Sequence, residues 1–242
     1  MMMTSKDCFH TDPLLLVACS CIGKNHIASG LPNQDAYWTS HYPYGDIIVV
    51  ADGVGSEKHS EYASQAVVKA VDSVFSQIAQ ETLAVEDLVD SLCFQFRQYL
   101  NELYDGTPST TCVFCVNLFS KGLFIGQIGD GICCGYINGE QFVFQHKDAS
   151  FANIVNPLTP GCPPDRWSLM HFSNIQEVEV LLATDGVADD ILPGRESEFA
   201  HYMVDLVEKA EKRLDALNDI LQNWETPQSN DDKTIGLYHF HC

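Results

Sequence analysis

The sequence predicts a segregated α+β fold, on three observations. Eight apolar, β-branched runs read as strands. Several are joined by turns too short for a parallel crossover, which makes the pairing antiparallel. The segments of helical period lie between groups of strands and do not alternate with them one by one. At 242 residues and 45% hydrophobic, without a Pro/Gly/Ser-rich linker or a repeat of solenoid period, the chain reads as one domain over 1–242.

The elements follow in order. A first strand covers 14–22, short and preceded by acids, unlike the apolar core of a signal peptide. A second covers 46–51. Ala63, Val67, Val71, Val74 and Ile78 then recur at steps of four and three, as do Leu88, Leu92, Phe96, Tyr99 and Leu103, giving two amphipathic helices. Runs at 111–119, 122–129, 132–138 and 140–146 are separated by Ser120-Lys121-Gly122, Asp130-Gly131 and Asn138-Gly139-Glu140, which predicts a meander. The Pro- and Asn-rich stretch 148–176 reads as a surface flap. After a strand at 177–184, the series Met203, Val207, Ala210, Leu214, Leu217, Leu221 and Trp224 predicts one long helix, and 233–240 a last strand. Burial of that helix against a sheet explains its stripe without a coiled-coil partner, so the chain is expected to be a monomer.

Charge narrows the function classes. With 13 Lys+Arg against 33 Asp+Glu, the formal charge is −20. Such a body repels phosphate backbones and anionic lipid, so neither a nucleic acid nor a membrane surface is an expected partner. No run approaches the ~18 apolar residues of a membrane span, and the chain reads as soluble and cytoplasmic. Ten cysteines in 242 residues fall below the density of a disulfide scaffold. Cys112 and Cys115 form a CxxC inside a strand-like run, where residues three apart face opposite ways and cannot grip one metal. Most of the thiols read as reduced, buried small hydrophobes.

The chemistry rests on where particular aspartates sit. IIVVADG ends a strand at Asp52-Gly53, EVEVLLATDG ends another at Asp185-Gly186, and FIGQIGDG a third at Asp130-Gly131. Asn230-Asp231-Asp232 precedes the last strand, and Asn33-Gln34-Asp35 precedes Ala36-Tyr37-Trp38. Carboxylates gathered at strand ends repel one another unless a cation neutralises them. An all-oxygen donor set selects hard ions such as Mg²⁺ or Mn²⁺. Asp-Gly is also a common hairpin turn, a competing reading that weighs most on Asp130-Gly131 between two meander strands.

NQDA, VVADGVGS, PSTT, IGDG, LLATDGVADD and NDDKT occur in the order and spacing of the type 2C, metal-dependent serine/threonine protein phosphatases. The chain resembles this family over roughly 18–240, and most of all its compact bacterial branch, where a His in a GxxH-like segment, here Gly23 to His26, precedes the QD motif. The resemblance implies a four-layer sandwich of two antiparallel β-sheets flanked by α-helices. It implies that Asp52 bridges two metal ions with the Gly53 carbonyl as a further ligand, and that Asp185 and Asp231 complete the first metal. Asp130 matches the acid of a third, weaker site, Asp35 acts through metal-bound water, and Ser109, Thr110 and Thr111 are structural. The implied reaction is direct attack of a metal-bridging hydroxide on phosphoserine or phosphothreonine. Phosphorylated proteins are the implied substrates, and a serine/threonine kinase a partner.

Two departures stand out. Where relatives carry a phosphate-clamping Arg, four positions before the acidic residue of the first motif, this chain has Gly30, and the acidic residue itself is Gln34. His26, Lys24, Lys58 and His59 are the candidate substitutes, with His26 and His59 counted among the catalytic residues. Asp189 and Asp232 are left outside the core set, the first as a helix-start charge and the second as an acid supporting the ligands from behind. The alternatives are a catalytically weak pseudophosphatase acting as a binding or regulatory module, and a hydrolase of small phosphate esters.

Overall fold

The computed structural model describes residues 13–100, 107–145, 156–224 and 230–242. Among these, one sheet runs β1 (Leu15–Cys21), β10 (Lys233–His241), β9 (Glu177–Ala183), β6 (Ile132–Ile137), β7 (Glu140–Phe144). The other runs β2 (Asp35–Tyr42), β3 (Gly45–Asp52), β4 (Cys112–Leu118), β5 (Gly122–Ile128), β8 (Ser168–Phe172), and all ladders are antiparallel. Helices α2 (Ser60–Ala79) and α3 (Leu88–Leu100) cover the second sheet, while α5 (Glu196–Glu208) and α6 (Arg213–Gln222) cover the first. Two short helices, α1 (Lys24–Ser29) and α4 (Asp185–Ala188), lie at one rim. The expected four-layer sandwich is present. No helix among the described residues is long and apolar enough to cross a membrane.

Three apolar layers hold it together, and strand alternation assigns each side chain to one of them. On β3, Ile47, Val49 and Ala51 join the α2/α3 core, whereas Ile48 and Val50 join the layer between the sheets. On β9, Leu181 and Ala183 face α5 and α6, whereas Val178, Val180 and Leu182 face the other sheet. Extended by two residues, the inter-sheet rows of β3 and β9 arrive at Asp52 and Thr184. The period-2 pattern thus aims these polar residues into the mouth of the sandwich. Cys112 and Cys115 fall in different layers, as their spacing requires. Eight described cysteines are free thiols, and Cys242 is disulfide-bonded.

Several local expectations change. The four central strands are two hairpins in different sheets, β4–β5 and β6–β7, and Asp130-Gly131 is a crossover between them. The hairpin reading of that Asp-Gly therefore falls. The single long helix is two: the backbone turns at Lys209 to Lys212, α5 packs on β6 and β9 and α6 on β1, and Leu214 of the expected stripe is exposed. Strand β2 is an addition to the expected set, since DAYWTSHY is an edge strand with a mixed burial pattern. The second half of the expected flap is also sheet: β8 pairs with β5, and Trp167 and Leu158 are buried. Leu103 and the first part of the flap lie outside the described residues. Tyr99, expected on the buried stripe of α3, is exposed, and Leu100 takes the core position.

Candidate active site

Five carboxylates meet at the rim where β2, β3, β5, β9 and β10 begin or end. Asp35 and Asp52 are register partners on adjacent strands, with their carboxyl groups in hydrogen-bonding reach of each other. Asp185 opens α4 directly after β9, Asp130 lies in the β5–β6 crossover, and Asp231 precedes β10. Their mutual repulsion is felt at Asp52 and Asp185. Burial first, then the charges of Asp35, Asp185 and Asp231, holds Asp52 well above the usual carboxylate range. Burial pushes Asp185 up to about 7, helped by Asp130, Asp35 and Asp231. Asp35 is pushed up to about 6 by burial, against the hydroxyls of Thr234 and Thr184 that favour its charged form. Asp130 is raised by burial and by the charge of Asp189.

The backbone around these acids is fixed by residues that sequence reasoning assigns to structure or passes over. Thr110 Oγ1 donates to the Asp52 carbonyl at 2.8 Å, and Thr111 N donates to the same oxygen at 2.7 Å. Thr111 Oγ1 accepts from Asp52 N at 3.2 Å, so the PSTT segment clamps Asp52 from both sides. Thr184 and Thr234 escape sequence reasoning. Both donate their hydroxyls to Asp35 Oδ2, at 2.9 and 2.6 Å, joining one sheet to the other through a single oxygen. Gln127 escapes it too; it is buried in the inter-sheet row of β5 and donates to Gly131 O at 2.6 Å, supporting the crossover that carries Asp130. Parity is the available signal, because a polar residue in an inter-sheet row must find a partner.

The glycine after Asp185 is needed for close approach. A Cβ on Gly186 would lie 2.0 Å from the Asp232 carbonyl oxygen, and one on Gly53 2.4 Å from Ser60 O. Gly186→Ala is therefore expected to displace the Asp231-Asp232 loop from α4. We expect a melting temperature lower by roughly 4–10 °C, for a clash of about 2–3 kcal/mol, together with weaker divalent-cation binding by calorimetry. Wild-type values for both would contradict the placement of the loop.

A comparison within β3 separates structural acids from functional ones. Asp46 and Asp52 lie on the same inter-sheet face at opposite ends of the strand. Asp46 is buried and fully served, by Tyr238 Oη at 2.8 Å and His41 Nδ1 at 2.7 Å. At the other end, Asp35 Oδ1 is buried without a hydrogen-bond donor, and the charges that raise Asp52 are those of other carboxyls, Asp35, Asp185 and Asp231. Such a cluster is stable in charged form only around a cation. Its all-oxygen donors fit a hard divalent ion.

The remaining candidates lie close by. His26, on α1, is bonded through Nδ1 to Asp232 Oδ2 at 2.8 Å, which ties it to the loop bearing Asp231. His59 caps the start of α2 with a left-handed backbone (φ 66°), its ring 6.0 Å from that of Tyr62. Lys24 and Lys58 are exposed. Gly30 ends α1 in the left-handed region (φ 68°), its N–H returning to the helix, and a side chain there would be strained. Asp232, read from sequence as an acid supporting the site from behind, is 2% exposed and accepts three hydrogen bonds.

A model of the protein phosphatase 2C family matches residues 22–224. Among curated proteins, none matches the chain in sequence. In structure, a bacterial serine phosphatase aligns over 93% of this chain and 97% of its own, with a TM-score of 0.63 and 20% identity. The serine/threonine phosphatase Stp1 from Staphylococcus aureus aligns over 94% and 95%, at 0.62 and 19% identity. RsbX, solved in complex with magnesium, aligns over 92% and 94%, at 0.58 and 14% identity. These likenesses carry the fold, and the family match spans most of the chain, including four of the five clustered acids. The chain belongs to the protein phosphatase 2C family, whose members are serine/threonine protein phosphatases.

Proposed function

We propose that this chain is a divalent-cation-dependent phosphatase that hydrolyses phosphoserine and phosphothreonine in protein substrates. The observation that carries the reading is a buried Asp35 Oδ1 without a hydrogen-bond donor beside an Asp52 raised by the charges of Asp35, Asp185 and Asp231, against a fully partnered Asp46 on the same strand face. Asp52, Asp185 and Asp231, with the Gly53 carbonyl, would hold two Mg²⁺ or Mn²⁺ ions. Asp130 would hold a third, and Asp35 orients water next to Asp52. The bound cations supply an acidified water and positive charge against the phosphoryl oxygens. The chain's own part is to fix five acids rigidly at strand ends, so that no reorganisation accompanies the reaction. His26 and His59 stand at the rim as groups that can donate hydrogen bonds or a proton to the phosphate and the departing alkoxide. A thiol nucleophile is disfavoured, since burial pushes Cys19 and Cys134 up to about 12. The working form is a cytoplasmic monomer acting on proteins phosphorylated by a serine/threonine kinase.

The test is hydrolysis of a phosphothreonine peptide and an aryl phosphate with Mn²⁺ or Mg²⁺, with and without chelator. Turnover of both that chelation abolishes is expected. Absence of turnover with either metal would overturn the reading in favour of a binding module, and turnover of the aryl ester alone would favour a small-ester hydrolase.

A further inference from the structure

The Asp231-Asp232 pair divides its labour. Asp231 is exposed and belongs to the acid cluster, while Asp232 turns inward and is saturated. Its Oδ1 accepts from Gly23 N at 2.7 Å, and its Oδ2 from Gln34 N at 2.6 Å and His26 Nδ1 at 2.8 Å. Two of these donors are backbone N–H groups, which can only donate, so the carboxylate is an acceptor on both oxygens. The third partner must therefore donate as well, which places a proton on His26 Nδ1 and leaves Nε2 as the ring's remaining polar atom. The ring is held in the wall of the site, its side chain 12% exposed. Nitrogen and carboxylate atoms of His26, Asp231 and Asp232 lie within 4.8 Å of one another.

The local chain is shaped around this contact. Gly23 packs so closely on the Asp231 backbone that a Cβ there would lie 2.3 Å from its carbonyl carbon, and Asn25 N donates to Asn230 O at 3.1 Å. The whole of α1 is thus pinned to the loop that carries Asp231, although its residues are largely exposed and contribute no core. A helix with no buried face, anchored by one saturated carboxylate, serves to place a side chain.

We propose that Asp232 is a positioning residue, and that the imidazole it fixes, His26, contacts the phosphoryl oxygens of the substrate through Nε2. This rests on the phosphatase reading and deepens it: in a cluster of carboxylates, a phosphate dianion needs a hydrogen-bond donor beside the cations, and His26 is held where it can be one. Asp232 touches neither substrate nor cation. Its effect passes through the ring.

The experiment measures inorganic phosphate binding to Mn²⁺-loaded protein by calorimetry, and KM and kcat for a phosphothreonine peptide. His26→Phe, His26→Gln, Asp232→Asn and the Asp232→Asn/His26→Phe double variant are compared with wild type. We expect His26→Phe to weaken phosphate binding about tenfold and to lower kcat/KM for the peptide by at least as much. His26→Gln, which keeps an N–H donor, should recover part of the loss. Asp232→Asn should match His26→Phe and add less than twofold on top of it. Unchanged phosphate affinity in His26→Phe, or effects of the two substitutions that multiply, would overturn the proposal. If Asp232→Asn does not fold, the His26→Phe and His26→Gln pair decides alone. Because phosphate binding is read without turnover, an inactive wild type would defeat the phosphatase reading while the binding measurements still decide the role of His26.

Discussion

Asp52→Asn is expected to leave the protein more stable and nearly inactive. The substitution keeps shape and removes one charge from a set that burial and repulsion already hold out of the normal ionisation range. In chelator at pH 7.5, removing it should relieve the repulsion and raise the melting temperature by a few degrees. The same charge is the centre of the proposed cation site, so kcat/KM with saturating Mn²⁺ should fall by roughly a thousandfold, about 4 kcal/mol of transition-state stabilisation. Most isosteric changes at buried acids destabilise, because the acid was serving donors; Asp46→Asn, which strips an acceptor from Tyr238 and His41, is the natural contrast. Opposite signs for the two variants distinguish an acid kept for function from one kept for structure. A lower melting temperature for Asp52→Asn with activity retained would contradict the assignment.

The second large effect is a metal stabilisation that grows with pH. Asp35 and Asp185 have folded-state values pushed up to about 6 and about 7, above the 3.8 expected in the unfolded chain. For a group raised in this direction, the unfolded state releases its proton first. The favourable contribution is complete below about pH 4 and is lost as pH climbs through 6 and 7. The chelated protein should therefore lose stability from these acids between about pH 4 and 7, with the loss complete by pH 8. Divalent cations bind the ionised cluster and reverse the loss, so the rise in melting temperature on adding Mn²⁺ should be small at pH 5 and largest near pH 8. Differential scanning fluorimetry across that range, with and without Mn²⁺, checks it. An increment independent of pH would mean that the cation binds acids of ordinary affinity for protons, away from this cluster.

Much of this arrangement can be read from the residues because each acid follows a strand whose buried alternation is unmistakable. IIVVADG and EVLLATDG announce both the strand and its end, and the sheet does the rest. What stays hidden depends on partners distant in sequence. β2 reads poorly because an edge strand buries only part of its residues, and β8 because its pairing with β5 overrides a Pro-rich neighbourhood. The split between α5 and α6 leaves no Gly or Pro signal. Asp130-Gly131 has the composition of a hairpin turn, and only the assignment of β5 and β6 to different sheets makes it a crossover. Asp232 is the hardest. Its place beside Asp231 suggests an acid behind the site, but its partners appear only when Gly23, His26 and Gln34 arrive from the far end of the chain. Thr184 and Thr234 are within reach, since counting by twos from the inter-sheet rows of β9 and β10 ends on both.

The most direct test of the central claim, that the strand-end acids form a divalent-cation centre, is a crystal of the protein grown or soaked in MnCl₂ and measured at the manganese absorption edge. The account predicts anomalous density among Asp52, Asp185 and Asp231, at full height in wild type and lost in Asp52→Asn. An empty cluster in crystals that bind manganese elsewhere on this acidic surface would contradict it.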